Sequence, residues 1–111
     1  MTEGQDNGKP VELAVSDRYA AAHGWVLTAI TGFLSAYYLE DPRVRFARRY
    51  RDAEAGAHVW VCDVEEGMPF MRVVRRLQAD IPPGRVQERT PASPRARYTL
   101  DLPEPDAASS S

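Results

Sequence analysis

Between Tyr19 and Leu39 the chain runs for 21 residues without a charged side chain, YAAAHGWVLTAITGFLSAYYL. No other stretch limits the fold so tightly. As one helix it would be about 31 Å long at roughly 1.5 Å per residue, close to the thickness of a bilayer's hydrocarbon core. Arg43, Arg45, Arg48, Arg49 and Arg51 follow at once, and such a cluster marks the cytoplasmic side of a membrane span. The composition of the run argues the other way. Val26, Leu27, Ile30, Phe33, Leu34 and Leu39 are its strongly apolar residues, and His23, Thr28, Thr31 and Ser35 interrupt them. Membrane insertion scales with Leu, Ile, Val and Phe content, to which Ala, Gly and Thr add little. The run reads as a buried helix of a soluble domain, with a single-pass membrane protein as the alternative.

Ser16 or Asp17 offers an N-cap for that helix, and Pro42 ends it after Leu39 or Glu40. Along it Ala20, Gly24, Thr28, Gly32 and Ala36 recur every four residues and form a shallow groove. Such a groove lets another backbone approach closely, either the sheet of the same chain or the helix of a second copy in a symmetric dimer. Val11–Val15, VELAV, alternates apolar and polar as a short strand. The segment after Asp41 fits either a helix capped at Asp41 and ended by Gly56 or one arm of a hairpin. The hairpin is preferred because the strand AHVWVCDV, residues 57–64, needs a neighbour. In that reading Arg43, Arg45, Arg49 and Arg51 project from one sheet face.

Phe70, Val73, Val74, Leu77 and Ile81 give one apolar helical face that Pro82-Pro83-Gly84 terminates. ARYTLDL, residues 96–102, is a last strand. The order is β-α-β-β-α-β, so the expected fold is α+β: a small antiparallel sheet packed against two helices, with the ferredoxin-like split pattern as the candidate topology. Residues 1–10 read as a disordered arm, 11–102 as one domain and 103–111 as a disordered tail.

The net charge of −2 conceals a segregated layout. Residues 1–41 hold two basic against six acidic side chains, residues 42–97 hold twelve arginines against seven acids, and the last fourteen residues hold three acids and no base. The single cysteine, Cys62, excludes an internal disulfide, and the opening residues lack an apolar signal core, so a cytoplasmic location is expected.

Catalytic and metal motifs are scarce. Cys62 and His58 share a strand face but lie about 13 Å apart when extended, too far for direct activation. Asp63, Glu65 and Glu66 cluster at a turn without a calcium-loop, HExxH or paired CxxC pattern. No metal or cofactor is expected. The arginine cluster carries the strongest signal: five Arg in nine residues, interleaved with Phe46 and Tyr50, combine anion-binding forks with stacking rings. Internal pairing, of Arg48 with Asp52 or Arg76 with Asp80, is the plainer explanation. The low pI of about 5.6 disfavours nucleic acid without eliminating it.

These residues point to a small non-catalytic accessory or regulatory protein, dimeric through the small-residue groove. Its contact surface would be Arg43, Arg45, Phe46, Arg48, Arg49, Tyr50, Arg51 and Trp60, directed at an acidic protein partner or at nucleic acid. The competing class is a small enzyme or ligand-binding protein. Its pocket would lie between the long helix and the sheet, lined by Trp25, Tyr37, Tyr38 and Trp60, with His23, His58 and Asp63 as acid and base.

Overall fold

A computed structural model describes residues 8–89 and 96–103. The strands are β1 (Gly8–Ser16), β2 (Val44–Asp52), β3 (Ala57–Glu65), β4 (Arg85–Arg89) and β5 (Ala96–Asp101); the helices are α1 (Asp17–Ala22), α2 (Trp25–Glu40) and α3 (Phe70–Gln78). The sheet order is β2-β3-β1-β5-β4. The molecule is thus a small α+β domain, as the periodicities predict. β1 begins at Gly8, paired with Glu65, so the first strand reaches back beyond VELAV.

The topology departs from the ferredoxin-like order. Its first half agrees: β1 and β2 flank β3 and both run antiparallel to it. In the second half the extra strand β4 follows α3 and reverses the chain, so β5 lies parallel to β1 and antiparallel to β4. The sheet is therefore mixed and not wholly antiparallel.

The uncharged run is not one helix. Ser16 caps α1 by accepting from the Tyr19 backbone N–H at 3.1 Å. His23 then leaves the helical region at φ −138°, ψ 68°, and α2 starts two residues later. The break lets α1 stay against β1 and β5 while α2 crosses to β2. Tyr19, fully buried, pins α1 through its hydroxyl, which donates to the Pro82 carbonyl. With the run divided, no helix among the described residues is long and apolar enough to cross a membrane.

All three helices cover one sheet face. Val15, Leu13, Trp60, Cys62, Tyr98 and Leu100 from the strands meet Val26, Ile30, Leu34, Phe70, Val73 and Leu77 from the helices in one core. Thr31, polar within an apolar run, has a partner there: its hydroxyl accepts from the Trp60 indole N–H at 2.9 Å and donates to the Leu27 carbonyl at 3.1 Å. Burial pushes the Cys62 thiol up to about 12, which makes it an inert core residue. Among the described residues no helix lies on the other face, yet Ala14, Ala57, Val59 and Val61 are buried on it, with Tyr50 against them.

Two glycines set the geometry. Gly56 ends the β2–β3 turn at φ 65°, a left-handed conformation suited to glycine. The turn is fixed by Asp52, whose carboxylate accepts from the Ala55 N–H at 3.1 Å. At Gly84 a Cβ would lie 2.7 Å from the Asp101 carbonyl oxygen and 2.8 Å from Leu100 Cδ1, so the chain enters β4 through a gap with no room for a side chain.

Candidate functional site

β2 pairs antiparallel with β3, as the hairpin reading expects; it is an edge strand and carries the arginines of the cluster from Arg45 to Arg51. They do not share one face. A β-bulge between Phe46 and Arg48 inserts Ala47 without a partner on β3. Beyond it the parity inverts: Arg45 opposes Asp63 and Arg48 opposes Val61, while Arg49 opposes Trp60 and Arg51 opposes His58. Residues directly opposite one another project from the same side of a sheet. Arg45 and Arg48 therefore leave from the helix-free face, and Arg49 and Arg51 from the helix-covered one. The expected single-faced array of Arg43, Arg45, Arg49 and Arg51 does not exist, because one extra residue moves everything after it to the opposite side.

The cluster also divides by partner. At its start Arg43 grips Asp41 with two parallel bonds, Nε to Oδ1 at 2.9 Å and a terminal nitrogen to Oδ2 at 2.8 Å. That grip holds the Asp41 carboxyl down at about 2. At its end Arg51 pairs with Asp17, which also lies 3.6 Å from His58 Nε2. Between them, Arg45, Arg48 and Arg49 sit over aromatic rings: Arg45 over Tyr38 at 5.6 Å, Arg48 over Tyr50 at 5.0 Å and Arg49 over Trp60 at 5.3 Å from the ring centroids. None of the three makes an ion pair with a described residue. The plainer pairings do not form either: Arg48 takes Tyr50 and not Asp52, and Arg76 reaches Glu40 on α2 at 2.8 Å and not Asp80. Arg72 and Arg75, on α3, are exposed and lie over no ring of a described residue.

Beside this edge, α2 and β2 enclose a shallow cleft of about 290 Å³ lined by Ser35, Tyr38, Arg45 and Phe46. Phe46 is half-buried and packs on the core behind it. Of the four aromatics expected to line a pocket, only Tyr38 borders this cleft. Trp60 is 0 % exposed inside the core, Tyr37 is buried with it, and Trp25 is 57 % exposed on the outer side of α2. Trp60 therefore offers no open platform; it supports Arg49 from below.

A second constellation, not visible from the sequence, occupies the helix-free face. Glu12, with its side chain 6 % exposed, accepts from the Tyr50 hydroxyl at 3.0 Å and from Arg97 Nε at 2.8 Å. Arg97 also reaches Asp52 at 3.1 Å. The Asp52 carboxyl lies below its usual range, first through the Ala55 N–H and then through Arg97. Burial, then the bond to Glu12, raises the Tyr50 phenol. Glu12 holds the ring on which Arg48 rests. The sequence separations are 38 residues to Tyr50 and 85 to Arg97; the only local hint was an acid on the polar side of a strand.

The acid–base set is not assembled. His58 lies on the helix-covered face of β3, Asp63 is exposed on the opposite face, and His23 packs edge-on against the Tyr19 ring at 5.1 Å between centroids. Among the described residues no group of three or more His, Cys, Asp or Glu side chains is placed to hold a metal ion. The small-residue groove is interrupted as well: Ala20 is buried on α1, whereas Gly24 at the start of α2 and Thr28, Gly32 and Ala36 along it are exposed.

The fold and site define a class: a small α+β domain with a five-stranded mixed sheet and a cationic edge strand. Comparison with protein-family models, with curated proteins and with solved structures finds no match.

Proposed function

We propose that this chain is a non-catalytic binding module, an accessory or regulatory protein that grips an acidic segment of a protein partner along the edge of β2. The observation that carries this reading is the division of the arginine cluster. Arg43 and Arg51 are neutralised by Asp41 and Asp17, whereas Arg45, Arg48 and Arg49 rest on rings with no carboxylate partner among the described residues. A ring under a guanidinium restricts the side chain while its N–H donors stay available for a carboxylate fork.

An acidic protein fits this edge better than nucleic acid does. Bases stack on open ring faces, but Trp60 is enclosed and Tyr50 lies under Arg48. A cytoplasmic setting belongs to the same reading, since a lone buried thiol calls for no oxidising compartment.

The test is fluorescence anisotropy with a labelled Asp/Glu-rich peptide, its Asn/Gln analogue and a single-stranded oligonucleotide, at 50 and 200 mM salt. The acidic peptide alone should bind, weakening as salt rises. The Arg45→Gln/Arg48→Gln/Arg49→Gln protein should lose at least about tenfold in affinity while its unfolding free energy stays within about 0.5 kcal/mol of the parent. Unchanged peptide affinity in the triple variant, or tighter binding of the oligonucleotide, overturns the proposal.

A further inference from the structure

The cleft beside Arg45 lies on the same edge as the three ring-borne arginines, and its position along the strand suggests what the partner's segment looks like. Resting on the binding reading above, we infer that the cleft receives one apolar side chain from the acidic segment, and that the preferred segment is extended with the order acid–apolar–acid–acid.

The order follows from β2 itself. Along the strand come Arg45, then Phe46 at the floor of the cleft, then the bulged Ala47, then Arg48 and Arg49. The bulge takes Ala47 out of the count: Phe46 opposes Cys62 and Arg48 opposes Val61, its immediate neighbour. Measured in cross-strand steps of about 3.3 Å, the edge reads cation, cleft, cation, cation. An extended segment lying alongside advances by the same step, so its complementary groups fall on four consecutive residues.

Two further observations fit an extended segment. The outer side of β2 has no strand neighbour among the described residues, and such edges pair with added strands through main-chain bonds. The volume of about 290 Å³ also suits a single side chain better than a whole small-molecule ligand. Tyr38 and Phe46 supply apolar walls. Arg45 and the Ser35 hydroxyl form a polar rim, so the neighbouring carboxylate meets a cation as the apolar group enters.

The experiment uses two peptides, Glu-Leu-Glu-Glu and Glu-Ser-Glu-Glu within the same neutral flanks, against the full chain and its Ser35→Trp variant. Ser35 is exposed on α2, so Trp there fills the cleft without entering the core; Ser35→Gln is the smaller plug if the first variant fails to fold. The full chain should prefer the Leu peptide by about tenfold. The plugged variant should bind both peptides alike, at the affinity of the Ser peptide for the parent. Equal binding of both peptides by the parent, or a preference that survives the plug, overturns the inference and leaves the arginine reading standing. Binding of neither peptide to the parent overturns that reading as well.

Discussion

Arg97 and the arginines in the middle of β2 are the same residue type in opposite circumstances. Arg97 is 17 % exposed by side chain and is held by two carboxylates, Glu12 and Asp52, that the helix-free face has brought to it. Arg45, Arg48 and Arg49 are exposed and held by rings alone. The first ties Glu12 on β1 and Asp52 on β2 together across the sheet. The others contribute little to the fold. Counting arginines would treat the two groups alike; what separates them is whether a carboxylate is already in place.

The difference is sharpest when each group is truncated. Arg97→Ala removes a guanidinium that holds the buried Glu12 carboxylate, and breaking a buried pair from one side costs about 3 kcal/mol or more. Urea unfolding should show that loss, and the Glu12→Leu/Arg97→Met double variant should recover most of it, because both members of the buried pair are then replaced together. If Arg97→Ala were as stable as the parent, the supposed contrast with the β2 arginines would vanish.

A smaller effect concerns the start of the cluster. Arg43 holds the Asp41 carboxyl at about 2, against 3.8 for an unperturbed group. A carboxyl held down in the folded state adds stability that is fully present above the unfolded value. That contribution disappears as the pH falls from 3.8 through about 2. Asp41→Asn should therefore flatten the acid limb of the stability curve in that window. Equal acid limbs in the two proteins would mean that Arg43 is as free as its neighbours.

Much of this architecture can be read from residue order, and the parts that cannot have physical reasons. β3, α3 and β5 declare themselves by period: AHVWVCDV in β-rich residues, Phe70 to Leu77 along one helical stripe, and Tyr98 and Leu100 in alternation. β4, Arg85–Arg89, does not, because RVQER has Val86 as its one apolar residue and is a strand by virtue of pairing with β5. That hidden strand is what turns the expected antiparallel sheet into a mixed one. The break at His23 is equally silent, since an uncharged run looks continuous whether or not its backbone is. The arginine cluster was plain, but the bulge at Ala47 is a property of pairing and not of composition. Which arginines are neutralised depends on Asp17, 34 residues from Arg51 in sequence.

The most direct measurement follows the arginine side chains themselves. In a ¹H–¹⁵N titration of the chain with the Glu-Leu-Glu-Glu peptide, the Nε–Hε signals of Arg45, Arg48 and Arg49 should shift progressively while those of Arg43, Arg51 and Arg97 stay in place. Shifts confined to Arg72 and Arg75 on α3, or spread evenly over every arginine, would contradict the assignment of the β2 edge as the contact surface.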